Sequence, residues 1–227
     1  MRNEVPRVRI NFGRTAKSIA GRFAATIRLL LLPFLLLATT VRAAGIHTLV
    51  FFGDSLTAGL GVDPDEAYPA LIQHKIDAAG KPWRVVNAGL SGETTAGGLR
   101  RLDWVLRQPV DMMVLELGAN DGLRGIRPEV TRANLQAIID RIHAHDARIR
   151  IVLAGMRVPT NLGPDFTAAF AAIYPGLAAT NHLPLIPFLL EGVGGHPDLN
   201  QADGMHPTAA GHVKVAENVW KVLAPLL

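Results

Sequence analysis

Three residues carry the side chains that nucleophilic catalysis requires. Ser55 follows Gly53-Asp54 where a predicted strand turns into a helix, a place that would leave its hydroxyl exposed. A serine hydroxyl needs a neighbouring base to act as a nucleophile at neutral pH, and the imidazole of His206 titrates in the right range. Asp203 lies three residues earlier, where its carboxylate could fix the imidazole tautomer. Singly, the serine and the aspartate are equally typical of helix caps, so each motif alone is ambiguous.

Two further residues could stabilise the negative charge of a tetrahedral intermediate. Gly89 has no side chain to keep a substrate carbonyl away from its backbone N–H. Asn120 offers a side-chain amide, and removing one such donor typically costs about 2.7–4 kcal/mol of barrier stabilisation. Both residue types are also common in turns, so turn formation is the alternative at each position.

The elements that must position these residues follow from the hydrophobic pattern. Short apolar runs alternate with amphipathic stretches from residue 47 onward. The predicted strands cover 47–53, 83–89, 112–118, 150–155 and 183–187. The predicted helices cover 68–80, 94–107, 129–145, 165–180 and 207–223. Two prolines place the last strand at an edge, and the alternation predicts a single, doubly wound, flavodoxin-like α/β domain with a five-stranded parallel sheet between helices.

The candidate residues all fall at one edge of this predicted sheet. Ser55, Gly89 and Asn120 follow the first three strands, and the Asp203/His206 pair precedes the last helix. Ligands of open α/β sheets bind at the carboxyl ends of the strands. Together these residues supply a nucleophile, two donors, a base and an orienting acid, which is the inventory of an acyl-transfer site.

Four sequence blocks carry a resemblance to a known family. They are FGDSL (52–56), NAGLSGET (87–94), ELGANDG (116–122) and DGMHP (203–207). In this order they resemble the four blocks of the GDSL, or SGNH, hydrolases. The segments LRG (123–125), AIYP (172–175) and LIPF (185–188) further resemble the exported bacterial acyl-CoA thioesterase/lysophospholipase/arylesterase branch.

The resemblance implies a role for each candidate residue. Ser55 would be the nucleophile, His206 the base and Asp203 its partner. The backbone N–H groups of Ser55 and Gly89 would form the oxyanion hole with the Asn120 side chain. Family members of this kind need no metal or organic cofactor, so none is expected here.

Apolar residues in loops near the predicted site could form a groove for an acyl group. The predicted groove residues are Leu56, Leu123, Gly125, Ile126, Met156 and Pro159. Ordinary loop packing is the alternative explanation for them. Residues 122–127 resemble the mobile loop that covers acyl chains in thioesterase relatives, and two glycines would permit that movement.

Composition excludes several other classes of protein. The 227 residues include no cysteine, which excludes disulfides, thiolate metal sites and a cysteine nucleophile. Of the 23 basic and 19 acidic side chains, eight basic and one acidic lie within residues 1–43. Residues 44–227 therefore carry a net negative charge, and we expect no nucleic-acid partner because such a domain needs a basic surface.

The N-terminal residues have the pattern of a targeting segment. Residues 29–41 are uncharged, and as a helix they would span about 20 Å, less than the roughly 30 Å of a bilayer core. A basic stretch precedes them and small residues follow. This order predicts a secretory signal peptide over residues 1–44, with an uncleaved anchor as the alternative. We expect the catalytic domain, residues 45–227, to be periplasmic or secreted, without a stable membrane span after cleavage.

The leading functional hypothesis is an exported serine hydrolase that works through an acyl-enzyme intermediate. Its substrates would be esters or thioesters of acyl groups, such as acyl-CoA, lysophospholipids or aryl esters, bound by a monomer. A carbohydrate O-acetyl esterase is the alternative, and dependence on acyl-chain length separates the two. A non-catalytic binding module would require the intact Ser55, Asp203 and His206 to be accidental.

Overall fold

A five-stranded parallel sheet forms the centre of the computed structural model, which describes residues 45–227. Its strands are β1 (His47–Gly53), β2 (Trp83–Gly89), β3 (Met112–Glu116), β4 (Arg150–Ala154) and β5 (Leu185–Ile186). They lie in the order β2-β1-β3-β4-β5, and every neighbouring pair is parallel. The predicted fold class is confirmed. The predicted signal peptide lies outside the described residues.

Eight α-helices connect and cover the strands of this domain within residues 45–227. They are α1 (Ser55–Ala58), α2 (Tyr68–Ala78), α3 (Thr95–Val105), α4 (Ala119–Leu123), α5 (Pro128–His145), α6 (Pro164–Ala171), α7 (Ile173–Asn181) and α8 (Ala209–Leu223). Helix α2 packs against α8, while α5 packs against both α3 and α7. The helices therefore form two layers with the sheet between them.

The central strands are buried on both faces by these helical layers. From Leu49 onward β1 is buried throughout, as is all of β3, and β4 is buried after its first residue. Such strands are near-continuous apolar runs, because helices cover both faces of a parallel sheet. The sheet core thus fixes the positions of the loops at the strands' carboxyl ends.

Two predicted elements differ from the structure. The helix predicted over 165–180 is two helices that meet at Ala172. Pro175 has no N–H, and its ring would clash with the carbonyl of Ala171 in a continuous helix, so the first helix ends there. The last strand has two residues instead of five, since prolines flank it on both sides, although its edge position is as predicted.

Within residues 45–227, none of the helices is both long enough and apolar enough to cross a membrane.

Candidate active site

The sheet order brings the first and third loops of the site together. Strands β1 and β3 are neighbours, and Gly53 pairs with Glu116 at their carboxyl ends. The chain leaves β1 for β2 on one side, and β3 lies on the other, so a crevice opens between the two loops. This is the topological switch point at which open α/β sheets bind ligands.

The turn after β1 presents Ser55 as the first residue of α1. Asp54 caps this short helix, because its Oδ1 accepts the N–H of Leu56 at 3.0 Å. The helix ends after one turn at Gly59, which has a left-handed backbone. Ser55 is only 8% exposed, so the turn holds its side chain in one place at the sheet edge.

A continuous chain of hydrogen bonds joins the three predicted catalytic side chains. The Ser55 Oγ lies 2.9 Å from the Nε2 of His206. The Nδ1 of the same imidazole lies 2.6 Å from the Oδ2 of Asp203. The geometry therefore fits a serine whose proton passes to an imidazole that a carboxylate orients.

The loop before α8 is built around the Asp203 carboxylate. Its Oδ1 accepts the backbone N–H groups of Met205 and His206, at 2.9 and 3.0 Å. Hydrogen bonds from the His206 side chain and from these backbone groups lower the pKa of Asp203 to about 2. The carboxylate is thus ionised at neutral pH and able to stabilise an imidazolium.

Two of the predicted oxyanion donors, the Asn120 amide and the Ser55 backbone N–H, lie close to the nucleophile. Asn120 is in α4, and its Nδ2 donates to the Oδ2 of Asp54 at 3.1 Å, beside the nucleophile. The backbone N–H of Ser55 has no acceptor within residues 45–227, which leaves it available to a substrate oxygen. Both groups also belong to residues that line the cavity described below.

The structure gives Gly89 a contact that competes with the expected role. Its backbone N–H donates to the Oδ1 of Asn87 at 2.9 Å, so this donor is already used. A β-carbon at Gly89 would lie 2.2 Å from the backbone nitrogen of Ala58. A glycine is needed here because β2 packs closely against the end of α1.

The turn after β2 contains another donor, which the sequence reasoning missed. Gly92 has a φ of +79°, and its N–H has no acceptor among the described residues. Its carbonyl accepts from Nη2 of Arg124 at 3.0 Å, and Thr95 donates its N–H to Asp121 at 2.8 Å. These contacts hold the turn against α4, next to Asn120. The sequence feature that could have indicated this donor is the second glycine of the block NAGLSGET (87–94).

Two carboxyl groups are buried directly beneath the nucleophile turn. Burial raises the pKa of Asp54 to about 6, against the opposing effect of hydrogen bonds from Leu56 and Asn120. Burial and the nearby charge of Asp54 raise the pKa of Glu116 well above its ordinary value. These carboxyls are close enough for each to affect the ionisation of the other.

A cavity of about 390 Å³ opens beside the Ser55 hydroxyl and is lined mainly by apolar side chains. Of the predicted groove residues, Leu56, Leu123, Met156 and Pro159 line it. The other two do not, because Gly125 and Ile126 lie beyond the end of α4. The wall residues that the prediction omitted include Phe188, Leu190, Gly194, Gly195 and Met205.

The segment 122–127 differs from the expected flexible loop at its first glycine. Gly122 is buried inside α4, where a β-carbon would lie 2.1 Å from Val158 and 3.2 Å from Phe170. Its small size therefore serves packing. Gly125 has a φ of +64° with open space around it, so it alone has the backbone freedom expected of a hinge.

The described residues contain no cluster of metal-ligating side chains. Within residues 45–227, no group of three or more His, Asp or Glu side chains is arranged to hold a metal ion.

The residues of this site lie within a stretch of the chain that matches a known protein family. The model of the GDSL-like lipase/acylhydrolase family matches residues 51–214, a span that includes both Ser55 and His206. The chain belongs to this family. The predicted family is thus confirmed.

Curated relatives of this GDSL family member cover nearly the same residues. It is 42% identical over 200 residues to "Esterase TesA" of Pseudomonas aeruginosa, which covers 88% of this chain and 98% of that protein. It is 41% identical over 198 residues to "Thioesterase 1/protease 1/lysophospholipase L1" of Escherichia coli strain K12, covering 86% and 93% respectively. The predicted enzyme class is confirmed: this GDSL family member is a hydrolase of the esterase and thioesterase type.

A solved structure supports the same assignment of fold. A crystal structure of TesA matches with a TM-score of 0.76 at 42% identity, over 80% of this chain and 100% of that chain. The GDSL family fold thus extends across the domain that carries the site.

Proposed function

We propose that this protein is an exported serine hydrolase that cleaves ester or thioester bonds of acyl substrates through an acyl-enzyme intermediate. The observation that carries the proposal is the chain of hydrogen bonds from Ser55 Oγ to His206 and on to Asp203, at 2.9 and 2.6 Å. Serine hydrolases on unrelated folds use the same arrangement.

In the first half of the reaction, Ser55 Oγ attacks the carbonyl carbon while Nε2 of His206 takes the hydroxyl proton. Asp203 stabilises the imidazolium that forms. The N–H groups of Ser55 and Gly92 and the amide of Asn120 hold the developing oxyanion. The tetrahedral intermediate collapses as His206 protonates the leaving alcohol or thiol.

In the second half, water hydrolyses the acyl-enzyme. His206 takes a proton from the water as its oxygen attacks the acyl carbon, and the same donors hold the second oxyanion. The bond between the carbonyl carbon and Ser55 Oγ breaks, and the imidazolium returns its proton to the serine oxygen. The products are a carboxylic acid and the free enzyme.

The cavity supports an apolar acyl group as the part of the substrate that is recognised. Leu123, Met156, Val158, Phe188 and Leu190 line it next to the nucleophile. Burial of apolar surface contributes about 0.8 kcal/mol per CH₂ group, so a longer acyl chain gains affinity in such a cavity. The relatives' names, esterase and thioesterase/lysophospholipase, agree with acyl-CoA, lysophospholipids and aryl esters as candidate substrates.

The test is hydrolysis of p-nitrophenyl esters from acetyl to palmitoyl by the purified protein and its Ser55→Ala variant. We expect a chain-length optimum beyond acetyl that the variant abolishes, together with fluorophosphonate labelling of the wild type alone. Activity confined to acetyl esters would favour the carbohydrate O-acetyl esterase instead. Folded wild-type protein that neither hydrolyses nor labels would refute serine catalysis.

Export and the monomeric state belong to the same proposal. The order of basic, apolar and small residues over 1–44 supports a cleaved signal peptide. N-terminal sequencing of the protein from the secreting cell's periplasm or medium should start near residue 44 or 45.

Analytical ultracentrifugation of that species should give the mass of one chain; a dimer mass would contradict the monomer.

A further inference from the structure

A buried glutamate contacts the nucleophile turn on both sides of the serine. Oε2 of Glu116, at the end of β3, accepts the backbone N–H of Asp54 at 3.2 Å and the hydroxyl of Thr57 at 2.8 Å. Ser55 lies between these two residues in sequence. Glu116 itself is fully buried, so its contacts join the floor of the site to the turn above it.

The packing around this carboxyl group leaves little freedom. A β-carbon at Gly53 would lie 2.4 Å from Oε2 of Glu116, so a larger residue there would displace the carboxyl group. The hydroxyl of Tyr68 lies 2.6 Å from Oγ1 of Thr57. Since the threonine gives its proton to Glu116, the tyrosine donates to the threonine. The cluster thus has one consistent pattern of donors.

The surroundings distinguish the two buried carboxyl groups. Asp54 accepts hydrogen bonds from Leu56 and Asn120, and it faces the imidazole of His206. In contrast, Oε1 of Glu116 is buried without a hydrogen-bond partner among the described residues, and no cation there pairs with it. A buried charge without a partner costs far more than a buried neutral group.

The titratable groups packed around Glu116 offer it no compensating positive charge. Asp54 approaches it from the turn, and its negative charge opposes a second negative charge. Tyr68 and Tyr174 approach from α2 and α7, and both are neutral because burial raises their pKa values well above 10. None of these groups stabilises an ionised Glu116.

We propose that Glu116 is a positioning residue that acts as a neutral carboxylic acid. Its carbonyl oxygen holds Asp54 and Thr57 on either side of Ser55, and Asp54 in turn holds Asn120 toward the oxyanion. The role rests on the serine mechanism proposed above. A neutral group keeps the turn in place without adding a second charge beneath the Asp203/His206 pair.

Glutamine is the variant that separates a neutral role from a charged one. Glu116→Gln keeps the accepting oxygen, and we expect it to retain kcat within about threefold of the wild type. Glu116→Ala removes the acceptor, and we expect kcat to fall about 10- to 100-fold with little change in KM, because the nucleophile and Asn120 lose their alignment. The assay is hydrolysis of the best p-nitrophenyl ester by the full chain.

Infrared spectroscopy and thermal unfolding provide readouts independent of turnover. At pH 7.5 the wild type should show the carbonyl stretch of a protonated carboxylic acid, and Glu116→Gln should lack that band. Glu93→Gln is the matched control, since this buried carboxylate pairs with Arg101. The control should lower Tm, because it leaves the guanidinium unpaired, whereas Glu116→Gln should not.

Three results would overturn the inference. They are a Glu116→Gln variant with as little activity as Glu116→Ala, a wild-type spectrum without the protonated band, and an unchanged kcat in Glu116→Ala. If the alanine variant does not fold, the glutamine variant and the spectrum still decide. Failure of the serine mechanism is distinguishable, because the wild type would then not label with fluorophosphonate.

Discussion

At the residue scale, Asp54 connects two parts of the site through its two oxygens. Oδ1 caps α1 through the N–H of Leu56, and Oδ2 accepts the amide of Asn120. The same carboxyl group therefore starts the helix that presents Ser55 and orients an oxyanion donor. To make both contacts, the carboxylate must be buried. Burial of the charged group fixes the site geometry but lowers the free energy of unfolding.

The stability lost by burying the ionised Asp54 can be measured from the pH dependence of unfolding. The pKa of Asp54 is raised to about 6 by burial, above its ordinary value of 3.8. Its contribution to stability is therefore fully present below about pH 4 and is lost as pH rises through about 6. Asp54→Asn should raise the unfolding free energy at pH 7.5 by roughly 1–3 kcal/mol and at pH 4 by much less.

Thermal or urea unfolding at both pH values measures this difference. Asp65→Asn makes the same chemical change at an exposed position and should show no such pH dependence. A stability gain of Asp54→Asn that is equal at both pH values would contradict the assignment.

At the scale of elements, the short helix α4 joins the oxyanion donor to the cavity wall. Asn120 lies in its first turn and Leu123 at its end, and both line the cavity. Gly122 packs the helix against Val158, while Gly125 forms the turn that follows. The backbone N–H of Gly125 donates to the carbonyl of Gly122 at 3.0 Å. Movement of this segment would therefore be centred on Gly125.

Gly125→Pro tests the contribution of this turn to substrate selection. Proline cannot adopt the φ of +64° found at Gly125, and it removes the N–H that bonds to Gly122. We expect kcat/KM to fall about tenfold more for palmitoyl than for acetyl p-nitrophenyl esters, because Leu123 moves relative to the acyl chain.

The turn between α2 and β2 provides a matched control for that substitution. Gly80 has a φ of +62°, open space around it, and an N–H that donates to Asp77 at 3.0 Å. It does not line the cavity. Gly80→Pro should cost similar stability and leave the ratio of the two activities unchanged. Equal losses on both esters in Gly125→Pro would refute the role in chain-length selection.

The differences between prediction and structure have local causes. Ser55, Asn120 and His206 could be placed from the sequence, because parallel strands bring their carboxyl ends to one edge. Gly89 could not be judged in this way, since a side chain two residues away competes for its N–H. Phe188 also escaped prediction, because its place in the wall depends on how the chain folds back after β5.

At the scale of the whole molecule, the sheet places all chemistry at one end of the domain. The loops after β1 and β3 and the segment before α8 converge there, and the buried strands beneath hold them in place. Residues 44–227 carry more acidic than basic side chains, in contrast to the basic leader. The proposed export would therefore release a domain whose charge disfavours retention on anionic membrane surfaces.

The all-parallel sheet also constrains how the chain reaches its native state. No two neighbouring strands are joined by a hairpin, and each pairing connects residues about thirty or more positions apart. Loop closure must precede such pairings, so we expect refolding in milliseconds to seconds rather than microseconds, as stopped-flow fluorescence would show. A new chain that folds slowly stays unfolded for longer. An unfolded chain is what a narrow translocation pore can pass.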